Sequence, residues 1–258
     1  MAQVYDAYLV PLIFEACAAD LAERAASRSP RALLEIAAGT GALTRALTST
    51  LPESARITAT DLNQSMLDQA ARHGTSRPVT WQKADALALP FPDAAFDTVL
   101  CQFGVMFFPD KRAAFAEARR VLQPGGTFLF SVWDRIEDNE FADVVTDALA
   151  ELFPHDPPRF MARTPHGYHD LETIRADLAA AGFDSDVETV TVSKRTSAGS
   201  FEHPALAFCQ GTPLRSEIEA RGGTLGDATA HAAEAVAKKF GRGRVEGRIQ
   251  AIVFVVRK

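Results

Sequence analysis

The residues best suited to chemistry lie in the first hundred positions, where glycines and acidic side chains follow short apolar runs. Gly39 and Gly41 form a turn after the run that contains Glu35, and such a turn lets a bound molecule approach the backbone where a helix begins. Asp61 ends a second apolar run, twenty positions after Gly41. Its carboxylate can accept hydrogen bonds from a ribose diol. The alternative for the glycines is a tight turn with no ligand.

A further acidic residue narrows the choice of ligand. Asp85 follows a third apolar run, where it can accept a hydrogen bond from the exocyclic amine of adenine while the N–H of Ala86 pairs with the ring. A dinucleotide-binding fingerprint needs a third glycine three positions after Gly41, and this chain has Thr44 there. The two acidic residues therefore favour a ligand that bears adenosine, and the missing third glycine counts against NAD(P) as that ligand.

A second group of candidates surrounds His166, in the stretch 163–169. A histidine can take a proton from a bound acceptor at neutral pH, so His166 is the candidate general base. Arg163 and Tyr168 are candidates for contacting the acceptor. The alternative is a loop whose histidine and tyrosine side chains cap a helix or face water.

Two tyrosines lie three positions apart, Tyr5 and Tyr8, on a predicted N-terminal helix, so they share a face. Their rings can close over a cation, which an aromatic face attracts. The alternative is that they pack the helix onto the rest of the fold.

The elements that must position these residues alternate between strand and helix. The apolar runs predict strands over residues 31–37, 55–60, 78–83, 96–103 and 127–133, with an amphipathic helix over 111–122 that the residues 124–126 break. Alternating strands and helices with short connections predict a parallel, doubly wound sheet with helices on both faces.

The pattern changes after residue 133. Helices are predicted over 140–152 and 171–181, and strands over 187–192 and 248–256. Between the last two strands, helical patterns cover 205–221 and 227–240, which is more chain than a hairpin needs. We expect the segments 153–170 and 196–245 to form a helical cap over the carboxyl edge of the sheet.

Composition excludes several classes of protein. With 27 basic and 33 acidic side chains, the net charge is −6, which argues against nucleic-acid or anionic-membrane binding. The three cysteines form neither a disulfide framework nor a zinc site, and they fit a reducing cytoplasm. The N-terminal apolar run is too short for a membrane span or a signal peptide, so we expect a cytoplasmic protein. We also expect no metal site.

Four stretches, 35–44, 60–67, 88–97 and 121–126, together resemble the successive motifs of class I S-adenosylmethionine-dependent methyltransferases. The resemblance is closest to the ubiquinone/menaquinone-type and general small-molecule branch, and it runs from about residue 31 to 134. It implies a Rossmann-like fold with a seven-stranded, mainly parallel sheet whose last strand is antiparallel. The cofactor would be S-adenosylmethionine and the product S-adenosylhomocysteine.

The resemblance also implies roles for individual residues. Gly39 and Gly41 would line the methionine moiety, Asp61 would bind the ribose hydroxyls, and Leu62 with Met66 would flank the adenine. With the residues argued above, the predicted cofactor-binding set is Tyr8, Glu35, Ala37, Gly39, Gly41, Asp61, Leu62, Met66, Asp85, Ala86, Leu87 and Gln102. The predicted substrate-binding set is Tyr5, Phe103, Arg163 and Tyr168.

These observations predict a methyltransferase that acts by in-line displacement on an O, N, S or C nucleophile of a small molecule. The predicted organisation is a capping helix over 1–30, a cofactor-binding core over 31–134, and C-terminal strands with the helical cap over 135–258, in one domain. Two alternatives stay open, an NAD(P)-dependent oxidoreductase and a methyltransferase-like binding domain without activity. The acceptor and the oligomeric state are not predicted.

Overall fold

The computed structural model describes residues 2–183 and 187–258. Its strands are β1 (Ala32–Ile36), β2 (Arg56–Asp61), β3 (Thr80–Lys83), β4 (Phe96–Gln102), β5 (Leu122–Trp133), β6 (Glu188–Ala198) and β7 (Val245–Arg257). They form one seven-stranded sheet in the order β3-β2-β1-β4-β5-β7-β6. β1 lies near the middle, and all five of its residues are buried, as a central parallel strand requires.

The sheet is mixed. β3, β2, β1, β4 and β5 pair in parallel. β7 runs antiparallel to β5, because Lys258 exchanges backbone hydrogen bonds with Gly125 and Gly126 at one end while Asp134 donates to Gln250 at the other. The predicted fold class, a doubly wound, mainly parallel seven-stranded sheet with an antiparallel last strand, is confirmed.

The α-helices are α1 (Ala2–Val4), α2 (Glu15–Ala26), α3 (Ala42–Thr50), α4 (Gln64–His73), α5 (Lys111–Val121), α6 (Glu140–Leu152), α7 (Phe160–Arg163), α8 (Leu171–Ala180), α9 (Glu202–Gly211), α10 (Leu214–Ala220) and α11 (Leu225–Phe240). A π-helix over Tyr5–Phe14 joins α1 to α2. No helix in the described part of the chain is both long and apolar enough to cross a bilayer.

Two predicted strand boundaries differ from the structure by five residues or more. β5 begins at Leu122 rather than at residue 127, so Pro124, Gly125 and Gly126 lie inside the strand instead of breaking the chain after α5. The pairing of Lys258 with this segment explains the difference, because it extends the strand through residues distant in sequence. β6 continues to Ala198, six residues beyond the predicted end.

The described chain divides into two compact units. The core unit comprises Cys17–Val132, Tyr168–Thr191 and Ile252–Lys258. The helical unit comprises the chain up to Ala16, Trp133–Gly167 and Val192–Ala251. The predicted domain boundaries, and the placement of the helical segments over the edge of the sheet, stay predictions.

Candidate functional site

The turn between β1 and α3 has a backbone that favours glycine at two positions. Gly39 has φ of 57° and Gly41 has φ of 81°, both in the left-handed region. A Cβ at Gly41 would also lie 3.1 Å from the Cβ of Ala70 and 3.2 Å from Cη2 of Trp81. Position 41 therefore needs glycine both for its conformation and for its contacts.

The Asp61 carboxylate joins this turn to the one that follows β2. Its Oδ2 accepts from the N–H of Gly39 at 2.9 Å, and its Oδ1 accepts from the N–H of Asn63 at 2.8 Å. A carboxylate has about four lone-pair sites, so two backbone bonds leave capacity for a ligand's hydroxyl groups. The half-buried side chain is thus fixed in place and still able to accept.

The start of α4 supplies an apolar surface beside Asp61. Leu62 is 64% exposed, an unusual exposure for a leucine, and Met66, one helical turn further on, is half-buried. Asn63 caps the helix by accepting from the N–H of Ser65 at 3.0 Å. A flat ring placed against Leu62 would cover apolar surface that now faces water.

The turn after β3 holds the other acidic residue. Asp85 is exposed, and its Oδ1 accepts from the N–H of Leu87 at 2.9 Å, while Ala86 between them is buried. The next residues are held by α5, because Glu117 accepts from the N–H of Leu89 at 2.7 Å and Arg120 donates to the carbonyl of Leu89 at 2.9 Å. These contacts fix the loop in which Asp85 lies.

The turn after β4 packs directly against the turn after β1. Phe103 is buried with φ of 54°, and Ala37 has φ of 56°, so a non-glycine residue adopts the left-handed region in each turn. A Cβ on Gly104 would lie 2.6 Å from the Cβ of Ala37. Strained backbone of this kind clusters at ligand sites. Gln102, the last residue of β4, is half-buried at the same edge.

Glu35 is a buried acid beneath the glycine turn. It is 1% exposed, and its Oε2 accepts from the Thr44 hydroxyl at 2.6 Å. Burial is the main reason that the pKa of Glu35 is raised from 4.5 to about 8; nearby Asp61 adds to the rise, while Thr44 and Arg45 oppose it. Sequence analysis did not predict the hydrogen bond from Thr44 to Glu35. The available signal was that Thr44 occupies the position where a dinucleotide fingerprint has its third glycine.

The structure brings most of the predicted cofactor residues to one place, the carboxyl edge of four neighbouring strands. We call this set the core-edge site: Glu35, Ala37, Gly39, Gly41, Asp61, Leu62, Met66, Asp85, Ala86, Leu87 and Gln102. The glycine turn carries no lysine or arginine over residues 37–44, and the rim carries carboxylates. These donors and acceptors suit a cationic adenosine derivative without phosphates better than a dinucleotide.

The remaining predicted cofactor residue, Tyr8, lies in the helical unit. Its ring makes an edge contact with His203, with 5.0 Å between the centroids. Tyr5, a predicted substrate residue on the same π-helix, has its ring 5.5 Å from that of Phe14. Both tyrosines therefore make packing contacts within the helical unit.

His166 is buried in the helical unit, where it lines a pocket with apolar side chains. Its Nδ1 lies 2.8 Å from the carbonyl oxygen of Asp134. A carbonyl only accepts, so Nδ1 carries a proton in this hydrogen bond. The residues that line this aromatic pocket are Ile13, Trp133, Asn139, Phe141, Ala142, Met161, His166, Phe208 and Ile249.

Two predicted substrate residues have partners in the protein. Arg163 in the helical unit donates to Glu217 at 2.6 Å. Tyr168 in the core unit donates its hydroxyl to Asp177 at 2.8 Å, and the same carboxylate accepts from Arg112 at 2.7 Å. Burial raises the pKa of Tyr168, and the hydrogen bond to Asp177 adds to the effect, so its phenol stays protonated at neutral pH.

Comparison with known proteins agrees with the arrangement at the core edge. Residues 34–130 match a family model described as a methyltransferase domain. The ubiquinone/menaquinone biosynthesis C-methyltransferase UbiE of Saccharophagus degradans is 30% identical over 169 residues, 60% of this chain and 68% of that protein. The protein of the same name from Paraburkholderia phymatum is 35% identical over 165 residues, 59% of this chain and 67% of its own. The chain belongs to the class I S-adenosylmethionine-dependent methyltransferases.

The fold of this methyltransferase has solved counterparts. The crystal structure of a methyltransferase from Bacillus halodurans superposes with a TM-score of 0.57 at 20% identity, over 93% of this chain and 98% of the other. The predicted family, enzyme class and cofactor, S-adenosylmethionine, are confirmed. The NAD(P)-dependent and non-catalytic alternatives gain no support. The individual site residues stay predictions.

Proposed function

We propose that this methyltransferase binds S-adenosylmethionine at the core-edge site and transfers its methyl group to a small molecule. Asp61 would accept from the ribose hydroxyls, and Leu62 and Met66 would lie against the adenine. Asp85 would accept from the adenine amine while the N–H of Ala86 faces the ring.

The methionine end would lie over the glycine turn. Gly39 and Gly41 permit that approach, and Ala37 and Gln102 border it. Glu35 is close beneath, where a ligand ammonium group would favour its ionised form. Leu87 would complete the adenine side.

When bound, S-adenosylmethionine supplies a methyl group on a sulfonium sulfur. The protein's part is to align the acceptor, exclude water and accept a proton where the acceptor must lose one. His166 is the proposed base, and its Nδ1 donates to the Asp134 carbonyl, which orients the ring. Tyr5, Tyr8, Phe103, Arg163 and Tyr168 belong to the proposal as contacts to acceptor or cofactor.

The observation that carries the proposal is the position of Asp61. Its two oxygens are held by backbone N–H groups from two neighbouring strand ends, and an exposed leucine follows it directly. This arrangement presents a fixed acceptor beside an apolar surface, which is what a ribose joined to a purine requires.

Calorimetry tests the proposal. Wild-type protein is titrated with S-adenosylmethionine, S-adenosylhomocysteine and NADH, and the same titrations are made on Asp61→Ala. We expect the two sulfur ligands to bind, NADH not to bind, and Asp61→Ala to raise the Kd for S-adenosylhomocysteine at least tenfold. The exposed Glu53→Ala is the control, since it also removes one carboxylate from the core unit. Unchanged binding in Asp61→Ala would contradict the assignment.

The proposed base has its own test. His166→Ala should lower kcat at least tenfold and leave the Kd for S-adenosylhomocysteine unchanged, because the residue lies outside the core-edge site. Turnover at the wild-type rate would remove His166 from the mechanism.

The remaining parts of the proposal concern partners and location. A net charge of −6 supports a small molecule rather than a nucleic acid as acceptor. The three free, buried cysteines support a cytoplasmic location.

A further inference from the structure

We propose that Arg120, together with Glu117, is a positioning residue that makes the core-edge site select adenine over hypoxanthine, the base with an oxygen in place of the amine. This inference rests on the proposed function, and it adds the residues that give the site its specificity for the base.

The loop that would contact the base joins β3 to β4 over residues 84–95 and lies outside the strands and helices. Asp85 and Ala86 are near its start. The Asp85 carboxylate accepts from the N–H of Leu87 at 2.9 Å, and its carbonyl accepts from the N–H of Ala88 at 3.1 Å. These two bonds shape the turn, but they lie within the loop, so they cannot by themselves fix its position on the core unit.

Arg120 ties this loop to α5. A guanidinium group has five N–H donors in a rigid fork, and here each of them has an acceptor. Nη2 donates to the carbonyl of Leu89 at 2.9 Å, and Nη1 donates to the carbonyl of Phe91 and the carboxylate of Asp93, both at 2.8 Å. Nε and Nη2 donate to the two oxygens of Glu117 at 2.7 and 2.8 Å. One side chain therefore holds three positions of the loop.

Glu117 holds the same loop through a backbone N–H group. Its Oε2 accepts from the N–H of Leu89 at 2.7 Å, so both backbone polar groups of Leu89 are bound to α5. The hydrogen bond from Arg120 lowers the pKa of Glu117, so the carboxylate stays ionised at neutral pH. Leu89, whose side chain is buried, is thus fixed to the helix only three positions after Ala86.

Adenine and hypoxanthine present opposite hydrogen-bonding groups to this turn. Adenine has an amine that donates and a neighbouring ring nitrogen that accepts, which suit the Asp85 carboxylate and the N–H of Ala86. Hypoxanthine has an oxygen and a ring N–H at the same two places, so an acceptor would face the carboxylate and a donor would face the N–H. Polar groups that are held in place reject such a ligand, whereas a turn that can shift adjusts to either base. Selection of adenine therefore depends on how firmly the turn is held at Leu89.

The ratio of two dissociation constants measures this selection. Wild-type protein and Arg120→Ala are titrated by calorimetry with S-adenosylhomocysteine and S-inosylhomocysteine, which differ in the base alone. We expect S-adenosylhomocysteine to bind about thirtyfold more tightly to the wild type, because two hydrogen bonds are exchanged for two mismatched contacts. Arg120→Ala should lower this ratio at least fivefold. Urea unfolding of the same proteins measures the loss of stability separately.

Arg77→Ala is the matched control. Arg77 is another half-buried arginine of the core unit, and it donates to three backbone carbonyls, those of Thr48, Glu53 and Ala55. Glu53 and Ala55 precede β2, so they lie at the opposite edge of the sheet from Asp61. Arg77→Ala should lower the free energy of unfolding and leave the ratio within twofold of the wild type.

Glu117→Gln tests the same contacts with Arg120 in place. The amide has one accepting oxygen, so it cannot accept from both Arg120 and Leu89 as the two carboxylate oxygens do. It should lower the ratio at least threefold, and it decides the question if Arg120→Ala does not fold. When Glu117→Gln is added to Asp85→Asn, the ratio should change by less than twofold, because the effect acts through Asp85.

Three results would overturn the inference: a wild-type ratio below threefold, an unchanged ratio in Glu117→Gln or in folded Arg120→Ala, or an equal fall of the ratio in Arg77→Ala. Kd values that rise in parallel for both ligands are the result expected if Arg120 and Glu117 only stabilise the loop. A further fall when Glu117→Gln is added to Asp85→Asn would also contradict it. If S-adenosylhomocysteine does not bind to the wild type, the proposed function itself is wrong. If it binds and the ratio does not respond, the core-edge site stands and the positioning role is wrong.

Discussion

The core-edge site and the aromatic pocket differ in how sequence builds them. The core-edge site takes its residues from 35–102, at the ends of four parallel strands that neighbour each other. The aromatic pocket collects side chains from positions between 13 and 249. Backbone conformation shapes the first, through left-handed turns and N–H groups, and side-chain packing shapes the second. The first therefore leaves a local signature in the sequence, and the second does not.

The largest expected effect comes from adding a methyl group to the glycine turn. Gly41→Ala forces an alanine into the left-handed region and places its Cβ about 3 Å from Ala70 and Trp81. We expect the free energy of unfolding to fall by about 1–3 kcal/mol and the Kd for S-adenosylhomocysteine to rise at least tenfold. Urea unfolding and calorimetry measure the two effects.

Gly243→Ala is the control for that substitution, because a Cβ there meets nothing within 4 Å. If Gly41→Ala bound S-adenosylhomocysteine with wild-type affinity, the core-edge site would not depend on its backbone as described.

The same contrast explains how much of the molecule the sequence predicted. The strands β1, β2 and β4 and the helix α6 were found from periodicity, because their hydrophobic pattern is local. The start of β5 was missed because it depends on distant pairing: Leu122 pairs with Phe96 across a register shift, and Lys258 pairs with Gly125 and Gly126. Asp61 and Asp85 were predicted as site residues from their place after strands. The partners of Arg163 and Tyr168 come from helices whose packing no local pattern reveals.

A comparison of the two acids sharpens the account of the core-edge site. Asp61→Asn places an amide where both oxygens now accept from backbone N–H groups, so one N–H loses its acceptor. Asp85→Asn can keep its bond to Leu87, because the amide oxygen still accepts. Calorimetry with S-adenosylhomocysteine should show a Kd raised more than tenfold in Asp61→Asn and about threefold in Asp85→Asn. The reverse order would contradict the assigned roles.

The buried acid of the core-edge site predicts a pH dependence of stability. The pKa of Glu35 is raised from 4.5 to about 8 by burial, so between these values the folded protein holds a proton that the unfolded chain has lost. The contribution of Glu35 to the free energy of unfolding is therefore lost as pH rises from 4.5 to about 8. Urea unfolding at about pH 5 and about pH 9 should show a smaller decline in Glu35→Gln than in the wild type. Equal declines would assign the dependence to other groups.

The smallest effect is expected at Tyr168. Tyr168→Phe removes the hydrogen bond to Asp177 but leaves the pair between Asp177 and Arg112, so the free energy of unfolding should fall by about 1 kcal/mol. The KM for the acceptor should rise if Tyr168 contacts the acceptor as proposed. An unchanged KM with lowered stability would show that Tyr168 only holds α8 and would remove it from the acceptor contacts.

The central claim is that Asp61 and Asp85 hold one adenosine at the edge of the sheet. A crystal structure with S-adenosylhomocysteine tests it most directly. The account predicts both ribose hydroxyls within hydrogen-bond distance of the Asp61 carboxylate, the adenine against Leu62, and its amine at Asp85. A ligand whose ribose lies away from Asp61 would contradict it.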